Sequence, residues 1–304
     1  MENKDRNEKW LDNSKVSAFE TCPRLYFLRY CLHLSAEKSL SPALLFGKAF
    51  HSACEHFFKG LDEDTAIETG LEVLVNSVDR VDEFSRDDWR LDEESFARSC
   101  LYFFSHTGRE IKSLAEVLET EMKIELKDPE TDYSYLGRID LFMKSKTGLF
   151  SVIDIKTTSM SITQGWTQKL LVDTQIQGYA YLVERSKDLP VFSGAYAILS
   201  ARRSRLKSGA LSPNMTIDSS FLPLALSSDH LRRAEWRFKK TAQAIETSSF
   251  PCNFSSCLHY SKVCQFHPLC ERYWAEDVRE KEEEIKEVAL SSGYSIEKWH
   301  PFDD

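Results

Sequence analysis

The segment YLGRIDLFMKSKTGLFSVIDIKTT, residues 135–158, decides the fold of this chain. It contains two runs of apolar and strand-forming residues, 135–143 and 149–156, on either side of the polar segment 144–148. Two such runs around a short polar turn predict a β-hairpin. Because the strands of a hairpin lie side by side, we expect polar side chains of the two runs to come together.

Three charged residues interrupt these otherwise apolar runs. Asp140 lies in the first run, and Asp154 and Lys156 stand two residues apart in the second. Side chains alternate along a strand, so Asp154 and Lys156 share one face, while Ile153 and Ile155 face a core. Charges are seldom buried unless they are paired or bound to a metal ion. The pattern therefore predicts a charged site on the hairpin.

Hydrolysis of a phosphodiester bond uses this set of groups. Two carboxylates on adjacent strands can hold Mg²⁺ or Mn²⁺, which prefer oxygen ligands, and the bound metal lowers the pKa of the attacking water. A lysine beside the metal stabilises the charge that builds up on the phosphate. We therefore predict Asp140 and Asp154 as metal ligands, with the backbone carbonyl of Ile155 as a third. Lys156 would serve the nucleophile and the transition state.

The acid-x-Lys tripeptide alone is not specific. It also occurs at residues 2–4, 121–123, 125–127 and 284–286, and a salt bridge on an edge strand is an equally good interpretation of such a pair. Position distinguishes the candidates. Only Asp154-x-Lys156 lies in an apolar strand that follows a second strand with an isolated aspartate.

The rest of the chain alternates between helical and strand patterns. Helical periodicity predicts helices at residues 14–34, 44–59, 64–81, 93–118, 173–185 and 230–247, followed by an acidic C-terminal helix. Further strands are predicted at 121–126 and 191–199. This order favours an α/β (α+β) fold with a mixed central sheet flanked by helices. We divide the chain into an N-terminal helical region (1–118), a central core (119–250) and a cysteine-rich segment with the acidic helix (251–304).

The formal charge of −9 is unevenly distributed. Residues 61–94 carry thirteen acids and three bases, and residues 275–288 carry seven acids and three bases, which leaves +5 for the remainder. A local basic cleft therefore remains compatible with the overall acidity. The run ARRSRLK in a predicted loop, residues 201–212, could contact phosphates through four side chains: Arg202, Arg203, Arg205 and Lys207. A solvated loop is the alternative. No apolar run approaches the roughly 20 residues of a membrane span.

Four of the eight cysteines lie close together near the C-terminus: Cys252, Cys257, Cys264 and Cys270. The N-terminal residues lack the apolar stretch of a secretory signal, so we expect a cytoplasmic protein (host cytoplasm if viral) with thiols or metal ligands rather than disulfides. Thiolates at this density predict a metal site, either a 4Fe–4S cluster or structural zinc. A metal-free role as small buried groups is the third alternative. The cysteines of the predicted helices are expected in the core: Cys31, Cys54 and Cys100.

An ordered set of short motifs runs through the chain: Gly47 with His51, Glu121, Gly137 with Asp140, Asp154 with Lys156, and Gln175 with Tyr179. In this order the chain resembles the RecB-like branch of the PD-(D/E)XK nuclease superfamily, which includes AddB-type and CRISPR-associated iron–sulfur exonucleases. The resemblance spans residues 14–270 and implies a restriction-endonuclease-like core. It also implies that His51 is a metal ligand, that Glu121 lies near the metal, and that Gln175 and Tyr179 line the substrate cleft.

The resemblance extends to the cysteines. Cys22 in TCPRLYFLRY is similar to the Cys-Pro motif of the iron–sulfur members, which implies a ligand set of Cys22, Cys257, Cys264 and Cys270. The spacing Cys-x6-Cys-x5-Cys departs from the familiar arrangement, so zinc stays open and Cys252 could replace one ligand. Four thiolates from both ends of the chain would form a structural clasp.

Taken with the residues, the resemblance implies a metal-dependent DNA exonuclease acting on single strands or DNA ends. Recombination, repair or CRISPR proteins are the partners that it suggests. Two alternatives remain: a DNA-binding recombination or repair subunit with this fold but little activity, and a zinc-clasped interaction module.

Overall fold

The computed structural model describes residues 9–36, 39–208, 211–259 and 262–302. These residues form two compact units. One unit is drawn from the described residues within 1–38, 125–137 and 232–304, and the other from those within 39–124 and 138–231. None of the helices in the described part of the chain has the length and apolar character needed to cross a bilayer.

The helices are α1 (Asn13–Thr21), α2 (Pro23–Tyr26), α3 (Pro42–Phe58), α4 (Glu63–Ser77), α5 (Glu93–Phe103), α6 (Arg109–Leu114), α7 (Gln164–Val172), α8 (Gln175–Lys187), α9 (Ser228–Thr247), α10 (His267–Arg272) and α11 (Glu282–Ser291). Helical periodicity predicts most of them, and the structure shows serine, threonine or aspartate caps at several of their starts. Asp62, for example, accepts a hydrogen bond from the backbone of Thr65 and begins α4.

The strands are β1 (Trp10–Leu11), β2 (Leu34–Ser35), β3 (Ala115–Lys127), β4 (Ser134–Ser145), β5 (Phe150–Thr158), β6 (Val191–Arg205), β7 (Leu211–Ala225), β8 (Leu258–His259), β9 (Lys262–Val263) and β10 (Ser295–Ile296). The central sheet runs β4-β5-β6-β7, and β3 pairs with β4. The predicted hairpin is confirmed, since β4 and β5 are antiparallel with Leu141 opposite Ile153. The β5–β6 pair is parallel and β6–β7 is antiparallel. The sheet is therefore mixed, as predicted.

The core of the second unit lies between one face of this sheet and helices α3 to α6. Its buried side chains include Phe50, Phe57, Phe103 and Phe104, with the rings of Phe57 and Phe104 stacked at 4.2 Å. Strand residues such as Ile155 complete the core from the sheet side. Burial of each large apolar side chain contributes about 1.5–3 kcal/mol, so this face of the sheet is firmly covered.

Helix α8 covers the opposite face of the sheet. Gly194 of β6 allows this contact, because a Cβ atom at that position would overlap the side chain of Ile176. Val152 is paired with Gly194, and Asp154 with Tyr196. Because paired residues in a sheet point to the same side, Asp154 and Lys156 project from the face that α8 covers. We call this the α8 face of the sheet.

The first unit joins the N-terminal helices to the C-terminal segment. Phe27 stacks on Phe250 at 4.8 Å between ring centroids, and Tyr135 stacks on Phe238 at the same distance. The buried Arg24 guanidinium donates hydrogen bonds to three backbone carbonyls, those of Phe250, Tyr273 and Glu276. Arg24 follows Cys22 and Pro23 in the chain. It therefore binds the backbone both before Cys252 and after Cys270.

Several element predictions are wrong in detail. The predicted helix 14–34 ends at Cys31, and Leu34 already lies in β2. Helix α7 is absent from the prediction. The predicted helix 93–118 ends at Leu114, where β3 begins six residues earlier than expected. The predicted basic loop is wrong for residues 201–205, which continue β6, while 209–210 lie outside the described residues. Strand β7 is missing from the prediction because Pro213 and Pro223 break its pattern; β7 ends the sheet, and edge strands tolerate proline.

Of the three cysteines predicted to lie in the core, two are fully buried. Cys54 and Cys100 are 0% exposed and belong to the cluster of the second unit. Cys31 is exposed, which contradicts the prediction. It ends the π-helical turn Phe27–Cys31. A π-helical turn inserts an extra residue and so changes the face on which the following side chains lie.

Candidate active site

Three potential metal ligands come together in the second unit. His51 on α3, Glu121 on β3 and Asp140 on β4 each offer a ligand atom, and these atoms all lie within 4.8 Å of one another. His51 Nδ1 is 3.5 Å from Asp140 Oδ1 and 3.8 Å from Glu121 Oε1. An imidazole facing two carboxylates forms a site for a cation, and carboxylate oxygens suit Mg²⁺ and Mn²⁺. The donor set therefore fits the metal predicted from the sequence.

The charge state of these groups reflects the crowding of carboxylates. Burial lowers the pKa of His51, but the Asp140 and Glu121 carboxylates outweigh it and raise that pKa to about 10. Burial also raises the pKa of Asp140, yet His51, the backbone N–H of Ile155 and Lys156 together hold it below its usual value. Asp140 is therefore an anion at neutral pH, as a metal ligand must be.

The hairpin positions Asp140 directly. Its Oδ2 atom accepts a hydrogen bond from the backbone N–H of Ile155 at 2.5 Å, so the carboxylate is fixed by the neighbouring strand while Oδ1 faces His51. His51 is oriented by α3, whose apolar face is buried in the core through Phe46, Phe50 and Ala53. The predicted role of the Ile155 carbonyl stays a prediction.

Asp154 and Lys156 form a second part of the site. Asp154 is 2% exposed, and its Oδ2 atom forms an ion pair with Lys156 Nζ at 2.7 Å. Burial raises the pKa of Asp154 to about 6, with Lys156 opposing the shift and Asp140 adding to it. The ion pair lies on β5, between β4 and β6, so the edge-strand alternative does not apply.

Lys156 is held from a second side by α8. Its Nζ atom donates to Gln175 Oε1 at 2.9 Å, and Gln175 Nε2 donates to the Tyr179 hydroxyl at 2.8 Å. Burial lowers the pKa of Lys156, but Asp154 and Asp140 outweigh it and raise that pKa above its usual value. Lys156 is thus a protonated donor. Gln175 binds it directly, and Tyr179 binds Gln175.

The basic run does not form one patch. Arg202 follows Ile198 and Ser200 on the α8 face, and its Nη1 donates to Ser200 Oγ at 3.1 Å. Arg203 points to the other face, where its Nη2 donates to Ser95 Oγ of α5 at 2.9 Å. Arg205 lies in β6, and Lys207 lies exposed in a turn. Alternation along β6 therefore separates neighbouring arginines that the sequence places together.

One residue at the site was not predicted. Arg138 Nε donates to Glu121 Oε2 at 2.5 Å, and Arg138 stands two residues before Asp140 on β4. The same period-2 argument that paired Asp154 with Lys156 could have found it, because Arg138 and Asp140 share one face.

Five cysteines of the first unit lie near one another. Cys22 and Cys270 are buried, and Cys252, Cys257 and Cys264 are half-buried. The backbone N–H groups of Asn253 and Cys264 bind Cys22 Sγ at 3.3 Å and the Cys257 carbonyl at 2.7 Å. Burial raises the pKa of Cys257, and three other thiol groups raise it further: Cys264, Cys22 and Cys252.

Comparison with known proteins gives one family match. A family model described as "PD-(D/E)XK nuclease superfamily" matches residues 13–271. A solved structure titled "Crystal structure of SSO0001" is 15% identical and covers 64% of this chain and 85% of that chain, with a TM-score of 0.27. No curated protein matches the chain significantly.

Proposed function

The chain belongs to the PD-(D/E)XK nuclease superfamily, and on this premise we propose that it is a metal-dependent nuclease that hydrolyses DNA. The observation that carries the proposal is the convergence of His51, Glu121 and Asp140 beside the Asp154–Lys156 pair. If substitution of these residues abolishes DNA cleavage, the protein is a nuclease and not a DNA-binding subunit that keeps the fold.

In this proposal His51, Asp140 and Asp154 hold Mg²⁺ or Mn²⁺, with the Ile155 carbonyl as a further ligand. The ion, when bound, polarises the scissile phosphate and acidifies the attacking water. Lys156 Nζ is protonated and donates a hydrogen bond to that water, which directs a lone pair of its oxygen at phosphorus. The new oxygen–phosphorus bond forms as the bond to the leaving oxygen breaks. The attacking water loses its proton to solvent, the leaving oxygen takes a proton from solvent, and Lys156 counters the charge that develops on the phosphate.

Cleavage of DNA labelled at one end tests the proposal. With Mg²⁺ or Mn²⁺ we expect release of short labelled products from linear single strands, with a closed circular single strand resistant. That pattern would identify an exonuclease, which is the activity suggested by the resemblance to the RecB-like branch. Cleavage of the circle would identify an endonuclease. No cleavage with any metal, together with DNA binding, would favour the DNA-binding subunit.

Gln175 and Tyr179 are proposed to act through Lys156. We expect Gln175→Ala to lower kcat by about 10- to 100-fold with little change in KM, because misplacing a catalytic group by about 1 Å is enough for such a loss. Tyr179→Phe removes only the hydroxyl that orients Gln175, so its effect should be smaller. Steady-state kinetics on single-stranded DNA measures both. A rise in KM at constant kcat would contradict a role through Lys156.

Arg202 is proposed to contact a phosphate of the bound strand. It lies on the α8 face with Lys156, so Arg202→Gln should weaken DNA binding and reduce the slope of log K against log salt by about 0.7, the value for one contact to a single strand. Arg203→Gln is the matched control, because Arg203 binds Ser95 on the other face. Equal slopes for Arg202→Gln and the unmodified protein would contradict the contact.

The cysteines are proposed to form a structural site. Cys22, Cys257, Cys264 and Cys270 would hold a 4Fe–4S cluster, with zinc as the alternative ion and Cys252 as an alternative ligand. The hydrogen bonds of Arg24 on both sides of the segment support a preformed site. We also propose that the chain divides into three regions at residues 118 and 250. We further propose that it acts with a partner protein from DNA recombination, repair or CRISPR systems.

A further inference from the structure

Arg138 occupies an unusual place for a positive charge. It stands on the same face of β4 as Asp140, and its Nε atom donates to Glu121 Oε2. Its side chain is one-third exposed, whereas that of Glu121 is 14% exposed. An arginine next to a cation site repels the cation, so its presence there calls for a compensating role.

Glu121 itself is held in a rare backbone conformation. Its φ angle is 48°, in the left-handed region, although it lies inside strand β3 and is not glycine. Such residues persist only where the surroundings fix them, and they cluster at functional sites. A local departure from regular strand geometry also redirects a side chain. The carboxylate of Glu121 is therefore placed toward His51 and Asp140 at a cost to the backbone.

The two oxygens of Glu121 have different neighbours. Oε2 is bound by Arg138, while Oε1 faces His51 Nδ1 at 3.8 Å and belongs to the group of ligand atoms within 4.8 Å. We propose that Arg138 is a positioning residue that holds Oε2, so that Oε1 becomes a protein ligand of the divalent cation beside His51 and Asp140. The inference rests on the proposed function and adds Glu121 and Arg138 to its metal site.

The known behaviour of carboxylate ligands in metal sites supports this role for Arg138. Carboxylates that bind a metal are themselves held by hydrogen bonds from outside the ligand shell, and loss of such a partner typically lowers metal affinity by 10- to 100-fold. Arginine suits the task because its planar group has donors in fixed directions, which lysine lacks. Charge alone predicts the opposite change in metal affinity, because removal of the positive charge of Arg138 should strengthen cation binding. The two explanations therefore differ in direction.

Binding of Mn²⁺ to the full-length protein without DNA tests the inference, measured by calorimetry and by the electron paramagnetic resonance signal of free Mn²⁺. We expect Arg138→Gln and Glu121→Gln each to weaken Mn²⁺ binding by about 10- to 100-fold. The double variant should be no weaker than Glu121→Gln, because both changes remove the same ligand. Arg138→Lys should fall in between. Arg98→Gln, which removes an arginine paired with Glu94 on α5, should bind Mn²⁺ like the unmodified protein.

Unchanged or tighter Mn²⁺ binding by Arg138→Gln would overturn the inference. So would unchanged Mn²⁺ binding with weaker DNA binding, because Arg138 would then contact a phosphate instead. If the unmodified protein bound no Mn²⁺, the proposed function itself would fail. Thermal unfolding of each variant shows whether it is folded, and Arg138→Lys keeps the test decisive if Arg138→Gln is not.

Discussion

Asp154→Asn is expected to lower kcat for DNA cleavage by about 10³-fold or more, because loss of a single charge-stabilising group at a phosphoryl centre has effects of this order. Asn has the size of Asp, so the packing on β5 is kept while the negative charge is lost. Lys156 also loses its ion-pair partner and keeps its hydrogen bond to Gln175. Both the proposed metal ligand and the orientation of the lysine are affected.

The chain provides a matched control in another acid-x-Lys tripeptide. Glu125 and Lys127 have the same spacing, and both side chains are exposed at the end of β3. Glu125→Gln should therefore cleave DNA at the normal rate. Initial rates on an end-labelled single strand, with saturating Mg²⁺ or Mn²⁺, give the comparison. Undiminished cleavage by Asp154→Asn would sink the assignment of the active site, and equal losses in both variants would show that the effect is not local.

Cys270→Ala is expected to lose the bound metal and to lower the midpoint of thermal unfolding by roughly 10 °C. A structural metal contributes directly to the free energy of folding, and about 1 kcal/mol corresponds to a shift of about 2–4 °C in a domain of 150–250 residues. The effect should be large because the proposed ligands come from both ends of the chain, Cys22 on one side and Cys270 on the other.

Cys54→Ala is the matched control for this experiment. Cys54 is as buried as Cys270 but lies in the phenylalanine-rich core of the second unit, so the variant should keep the metal. Cys252→Ala should keep it too if the predicted ligand set is correct. Elemental analysis and the visible spectrum of anaerobically purified protein give the outcome. A colourless protein with one zinc would exclude the cluster, and a metal-free native protein would exclude the clasp.

The helical region shows where local pattern was sufficient. Apolar spacing places α3 and α4 within a few residues of their observed bounds, because this signal acts over one or two turns. The ends of strands were harder to place. The extension of β6 to Arg205 depends on pairing with β7, and that partner is distant in sequence and interrupted by prolines.

Residues 135–158 specify their own hairpin and the common face of Asp154 and Lys156. That result is local, because strand alternation and turn composition are properties of neighbouring residues. The sequence indicated the meeting of His51, Glu121 and Asp140 only through the family resemblance. The tertiary structure brings these residues of a helix and two strands together. It also decided the left-handed backbone of Glu121 and its hydrogen bond to Arg138. Such features depend on packing between distant segments, which no local pattern records.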